Sequence, residues 1–249
     1  MRKLIKADMG RLLRKKGVWF AFIFMIAMLV GMIFYRMNGA PDQDFAFAIG
    51  VVDGLSFDGL IMGMVLILGV YADDFKSTAY INVVGRGINR KKFIITKFLD
   101  AMIILVGMYL CAGAIAFGLK AGLGISLSSV EAKFIFLRFL YEIISTTSSI
   151  VIASLAFFIA ENNAIGVIVF ICFEIIIPTT IEFIVTNPIV AKYGLNRLFI
   201  TGATESMLTD FIIGQNGSGF LKLFLILTFY VAAAIIASCI MFGKKELDF

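Results

Sequence analysis

Glu174 stands midway along an apolar run, "AIGVIVFICFEIIIPTTIEFIV" over residues 164–185, with Pro178 four positions on and Glu182 eight positions on. At about 100° per residue the three side chains fall within an arc of roughly 80° on a helix. An ionisable group in the middle of a bilayer costs roughly 2.5–3.5 kcal/mol on insertion scales, so each such residue needs a partner or a task. Pro178 also removes a backbone donor that Glu174 would otherwise receive. Two readings fit. One is a polar stripe facing a pathway or a dimer seam, able to contact a cationic substrate. The other is a hydrogen-bonded Glu that satisfies a broken or re-entrant helix.

A second constellation lies in "YEIISTTSSI", residues 141–150. Glu142, Ser145, Thr146 and Ser149 share one face by steps of three and four. Small hydroxyl residues let transmembrane helices pack closely, and a cavity wall for substrate is the alternative reading. The chain has no His, which excludes Ser–His–Asp and Cys–His catalysis and HExxH zinc sites. Cys111, Cys172 and Cys239 each sit alone in an apolar run, without CxxC spacing. "GLSFDG" at 54–59 misses the GxSxG spacing of a hydrolase. Covalent chemistry is therefore not expected of this chain, and no metal or cofactor is expected to bind it.

The elements that must position these residues are membrane helices. Of the 249 residues 61% are hydrophobic, the mean hydropathy is +1.00 and only 16% are charged, more apolar surface than a water-soluble core can hide. An all-α integral membrane protein of a single domain, 1–249, is expected. Six spans are read at about 18–35, 55–71, 101–119, 139–160, 164–185 and 223–242. The first is too long for a signal-peptide core and no A-x-A site follows it. Asp53 and Asp58 suit the start of the second span, and Asp100 a cap of the third or a partner for Lys97. Residues 186–222 carry loop punctuation and no assigned structure.

Charge placement sets the orientation. Alternate sides of the six-span reading carry 15 and 7 Lys/Arg, which puts both termini in the cytoplasm. The first sixteen residues, "MRKLIKADMGRLLRKK", gather Leu4, Ile5, Leu12 and Leu13 on one face with bases around the rest. They predict an amphipathic helix lying in the cytoplasmic interface, its bases near anionic headgroups.

The remaining polar stretch is "YADDFKSTAYINVVGRGINRKKFIITKF", residues 71–98, between the second and third spans. Phe75, Ala79 and Val83 recur every four residues. Asp73 and Asp74 favour a helix start, and "GRG" at 85–87 marks a turn before a basic helix. This stretch resembles the corresponding loop of the ABC type-2 permease family. Asp74, Ser77–Thr78, Gly85 or Gly87, Asn89–Arg90 and Lys97 stand where that family has an acid, a small–Thr pair, a Gly, a small–Arg pair and a Lys. Ser77 replaces the Gly that often precedes the Thr there. "KLIKADMGRLLRKKGVW" near the start and "FGKKELDF" at 242–249 are similar to the same family.

The resemblance implies a non-catalytic transport subunit of the bacterial cell membrane. The loop would be a cytoplasmic coupling helix seated on a separate ATPase, with Asp73, Asp74, Phe75, Thr78, Gly85, Arg86, Gly87, Arg90, Lys91 and Lys97 as its coupling residues. No GxxxxGK[ST] is present. ATP and Mg would be held by two copies of the ATPase, beside a second permease chain, identical or paralogous. Among small permeases of this kind are exporters of phenol-soluble modulins and lantibiotic-immunity subunits, so an amphipathic peptide is the expected cargo. Drug, ion or lipid export, and an ATPase-independent carrier, are the alternatives. The substrate path is expected along Glu142, Ser145, Thr146, Ser149, Glu174 and Glu182, with membrane lipid as a further partner and no nucleic acid.

Overall fold

A computed structural model describes residues 2–72, 83, 85, 87–160, 162–176 and 218–244. Every element among them is helical. In order they are α1 (Arg2–Leu12), α2 (Lys16–Met37), α3 (Gln43–Ile67), α4 (Arg90–Leu123), α5 (Ser129–Ala160), α6 (Asn163–Ile171) and α7 (Ser218–Lys244). A π-helical turn continues α3 over Leu68–Ala72, and another continues α6 over Cys172–Ile176.

Five helices are long and apolar enough to cross a membrane: Lys16–Met37, Gln43–Tyr71, Arg90–Leu123, Ser129–Ala160 and Phe224–Phe242. The apolar helix Ala164–Ile176 is too short to span within the described residues. The fifth span expected at 164–185 therefore lies partly outside them.

Helix starts differ from the sequence expectation. Asp42 caps α3, its Oδ1 accepting from Phe45 N at 3.0 Å, so Asp53 and Asp58 lie inside the helix. Asn89 caps α4 by accepting from Lys91 N at 2.9 Å, and Asp100 sits eleven residues further on, fully buried. Hydropathy placed these starts too late because isolated acids interrupt the apolar runs, while backbone hydrogen bonding continues through them.

α2 and α3 pair most extensively, along a face with Gly50 and Gly54 at its centre. A Cβ on Gly50 would stand 2.6 Å from Ile33 Cα, and one on Gly54 2.8 Å from Leu29 Cα. This is the small-xxx-small approach that lets membrane helices touch backbone to backbone.

α5 is the central helix, packing on α3, α4, α6 and α7. Residues Thr146–Val151 are buried in succession, so the helix is enclosed on all sides there. Its hydroxyls mostly serve its own backbone: Thr147 donates to Ile143 O at 2.6 Å and Ser148 to Ile144 O at 2.9 Å.

Long-range contacts define two ends of the bundle. At one end Lys15 Nζ donates to Gly69 O at 2.7 Å, Lys97 pairs with Asp8, and Arg90 reaches Phe242. At the other, Asp44 accepts from Ser126 N at 3.1 Å and from Ser126 Oγ at 2.8 Å, while Arg36 Nε donates to Asp53 at 2.6 Å. α1 does form, but it is more than a surface float. Leu12 is wholly buried in the core, and Asp8 ties the helix to α4.

Candidate functional site

Two groups of polar residues stand out, one inside the bundle and one at the end that carries α1.

The inner group gathers around Gly59. A Cβ there would meet Thr146 Oγ1 at 2.7 Å, Glu174 Oε1 at 3.0 Å and Glu142 Oε2 at 3.3 Å. Two helices, α5 and the continuation of α6, thus present polar atoms to a point where α3 contributes only a hydrogen. Arg138 Nη2 approaches Glu142 Oε1 at 2.6 Å along α5, and its guanidinium lies 5.0 Å from the Tyr141 ring centre. Asp58, beside Gly59, is fully buried, and its two oxygens find no hydrogen-bond partner among the described residues. The Tyr109 hydroxyl from α4 lies within electrostatic reach of Asp58, Glu142 and Glu174, with Thr146 nearby. The Ser149 hydroxyl reaches the Glu174 carboxyl.

Of the expected path residues, Glu142, Thr146, Ser149 and Glu174 are therefore brought together. Ser145 is only half-buried, and Glu182 lies outside the described residues. Arg138, one residue before the span expected at 139–160, belongs to the cluster as well. Asp58 and Tyr109 were missed. Asp58 had a signal in the Gly50/Gly54 and Gly59/Gly63 spacings, which mark one continuous close-packing helix across it. Tyr109 had none, because an aromatic residue in a span usually only packs.

Three carboxyls and one guanidinium in an apolar interior attract cationic groups, protons and water far more strongly than they would in solvent. Among the described residues no three acids come together in a geometry that holds a metal ion. Glu174 sits in the π-helical turn Cys172–Ile176, a deviation that recurs at functional positions because it re-aims side chains.

The second group frames the 73–89 connection. Tyr71, at the end of α3, stacks on Phe157 and meets Phe158 edge-on, both at 6.0 Å. Phe93, in the first turn of α4, stacks with Phe242 at 6.4 Å and meets Phe158 edge-on at 6.5 Å. Phe158 and Phe242 are 5.2 Å apart. Arg90 Nη1 donates to Phe242 O at 3.0 Å, and the guanidinium lies 5.9 Å from the Phe242 ring centre. One aromatic cluster therefore joins both ends of the connection to the ends of α5 and α7.

Lys91 and Lys92 are exposed. Gly85 is exposed, and so is Gly87, whose φ of 85° makes the turn that the "GRG" signal predicts. Lys97 faces inward, only 3% exposed, with Nζ 2.7 Å from Asp8 Oδ2. Asp73, Asp74, Phe75, Thr78 and Arg86 lie outside the described residues.

No family model matches the chain, and no curated protein matches it. The fold and the buried polar cluster define a class, a multi-pass α-helical membrane protein.

Proposed function

We propose that the chain is the permease subunit of a bacterial ATP-driven ABC exporter, six-spanning with both termini in the cytoplasm. It would work with a second permease chain and two copies of an ATPase that binds ATP and Mg. The single observation that carries this reading is the aromatic junction of Tyr71, Phe93, Phe157, Phe158 and Phe242. A push on the 73–89 connection reaches the two helix ends that flank it, at Tyr71 and Phe93. Both of its ends are packed into one cluster with α5 and α7, so displacement passes to four helices as a rigid-body tilt.

In this mechanism the exposed Lys91 and Lys92 face the acids of an ATPase, and Arg90 carries the load inward to the end of α7. Lys97 and Asp8 hold α1 to α4 so that the terminal helix moves with the lever. ATP closing the ATPase pair presses the two levers together. An amphipathic peptide, entering sideways between two permease chains from the inner leaflet, is then released outward. No residue of this chain forms a covalent bond to the cargo.

The buried acids favour one further reading, an ATPase-independent carrier that moves a cation or proton past Asp58, Glu142 and Glu174. Reconstitution separates the two. The purified chain is combined in vesicles with the ATPase that co-purifies with it, and ATP hydrolysis is followed with and without cationic amphipathic peptides. Peptide-stimulated hydrolysis with peptide accumulation is the expected result. Uptake driven by a proton gradient, with no ATPase present, would establish the carrier and overturn the exporter.

A further inference from the structure

An apolar groove of about 280 Å³ opens on the surface between α1, α2 and α4. Met9 and Leu13, Trp19 and Phe22, and Gly107 and Cys111 line it, one pair from each segment. Next to it on α1 is a wider, open concavity lined by Lys6, Gly10 and Arg14, among others. The two share a helix turn. Met9 and Leu13 line the groove, and on the helix repeat Lys6, Gly10 and Arg14 follow beside them, about 40°, 80° and 120° around the axis. Lys6 and Arg14 are exposed. A Cβ at Gly107 would meet nothing within 4 Å, so the groove floor is open. From Ile103 to Cys111 the α4 wall rises about 12 Å, enough for the upper part of an acyl chain.

We propose that this groove binds one anionic phospholipid, its phosphate against Lys6 and Arg14 and one acyl chain along Trp19, Phe22 and Gly107. Charge selects this occupant. A second copy of the chain would bring further cations to the basic end of the groove, whereas an anionic headgroup brings the opposite sign. A zwitterionic lipid would fill the groove equally well but gain little at the basic face. Trp19 donates Nε1–H to Leu13 O at 2.7 Å, which fixes the indole as a wall between α1 and α2. Indoles prefer this interfacial depth. The lipid would hold α1 to the bundle from outside, as Lys97 and Asp8 do from inside. This site does not depend on the exporter reading.

Trp19 is the only tryptophan of the chain, so its fluorescence reports the groove alone. The full chain is reconstituted in vesicles of phosphatidylcholine and phosphatidylglycerol, with bromine on the acyl chains of one lipid or the other. Brominated phosphatidylglycerol is expected to quench Trp19 with an apparent preference of roughly tenfold, as two bases near the surface support. That preference should fall toward unity in Lys6→Gln/Arg14→Gln and in high salt. Gly107→Phe should reduce quenching by both lipids. Equal quenching by both in the unaltered chain would overturn the proposal in favour of bulk lipid. Protection of Trp19 from both, increasing with the protein-to-lipid ratio, would overturn it in favour of a second protein copy. A preference that survives both the double substitution and salt would also overturn it.

Discussion

Lys97 Nζ lies 2.7 Å from Asp8 Oδ2 although the residues are 89 positions apart in the chain. The pair joins the N-terminal helix to the start of a spanning helix, inside the protein. Asp100, one turn along α4, is fully buried, and both Asp8 and Lys97 act on its carboxyl. Arg11 is the next base, 3.6 Å from Asp8. Two acids thus depend chiefly on one buried ammonium, and the arrangement is asymmetric.

That asymmetry gives the first prediction. Lys97→Met leaves Asp8 and Asp100 together without their main cation, and should cost about 3–5 kcal/mol, the range for breaking a buried pair. Asp8→Asn leaves Lys97 with Asp100 still in reach and should cost clearly less. Thermal unfolding of both variants in the same detergent measures the order. A larger loss in Asp8→Asn would mean that Asp100 does not share the lysine.

Gly59 tests the inner cluster. Gly59→Ala places a methyl 2.7 Å from Thr146 Oγ1, and Thr146 is β-branched and cannot easily turn away. Overpacking of this kind costs about 1–3 kcal/mol. Adding Thr146→Ala should recover a good part of the loss, because the two changes share one contact. Strict additivity in this double-mutant cycle would separate the two residues.

Arg138 and Glu142 should behave as a unit. Arg138→Met alone strands a buried carboxylate and should cost about 3–5 kcal/mol, whereas Arg138→Met with Glu142→Leu should lie near the parent in stability. If the double variant is as unstable as the single one, Arg138 serves chiefly through its packing on Tyr141.

At the junction, Arg90→Glu puts a carboxylate against the Phe242 carbonyl in place of a charge-assisted hydrogen bond worth about 1.5–3 kcal/mol. Under the exporter reading this variant inserts normally and the partner ATPase still turns over, but peptide export per ATP falls sharply. Comparing hydrolysis with export in one vesicle preparation reads the coupling directly. Unchanged export would refute the mechanical part assigned to Arg90.

Orientation has its own test. On a cysteine-free background, Lys91→Cys and Gly122→Cys place single exposed thiols at the two ends of α4. An impermeant maleimide added to intact cells should label Gly122→Cys and spare Lys91→Cys until the cells are opened. The reverse pattern would invert the protein.

Five of the six spans expected from the sequence coincide with described helices long and apolar enough to cross a bilayer, because length and hydropathy alone decide what can cross one. The exceptions are instructive. Asp42 and Asn89 are the caps of α3 and α4; Asp53 and Asp58 do not mark a start, and Asp100, expected to cap α4 or to pair with Lys97, lies within reach of Lys97 instead. A composition window stops at a charge; a helix does not, provided that the charge finds a place inside the bundle.

Chemistry on a single helix was also readable. Glu142, Thr146 and Ser149 lie on one face of α5 by periodicity, and that face does meet Glu174. Residue types, span content and the basic bias near one end of the bundle follow from the chain alone, since each is a property of local composition and helix repeat. Which polar groups meet was decided only by tertiary packing. Asp8 with Lys97, Asp58 with the Glu142 and Glu174 cluster, and Arg90 with the end of α7 join residues from separate helices. Their pairing depends on helix rotation and depth, which are set where Gly50 and Gly54 let backbones touch and where Tyr71, Phe93, Phe158 and Phe242 interlock. No one-dimensional pattern holds that information, because it arises from the mutual fit of several surfaces at once.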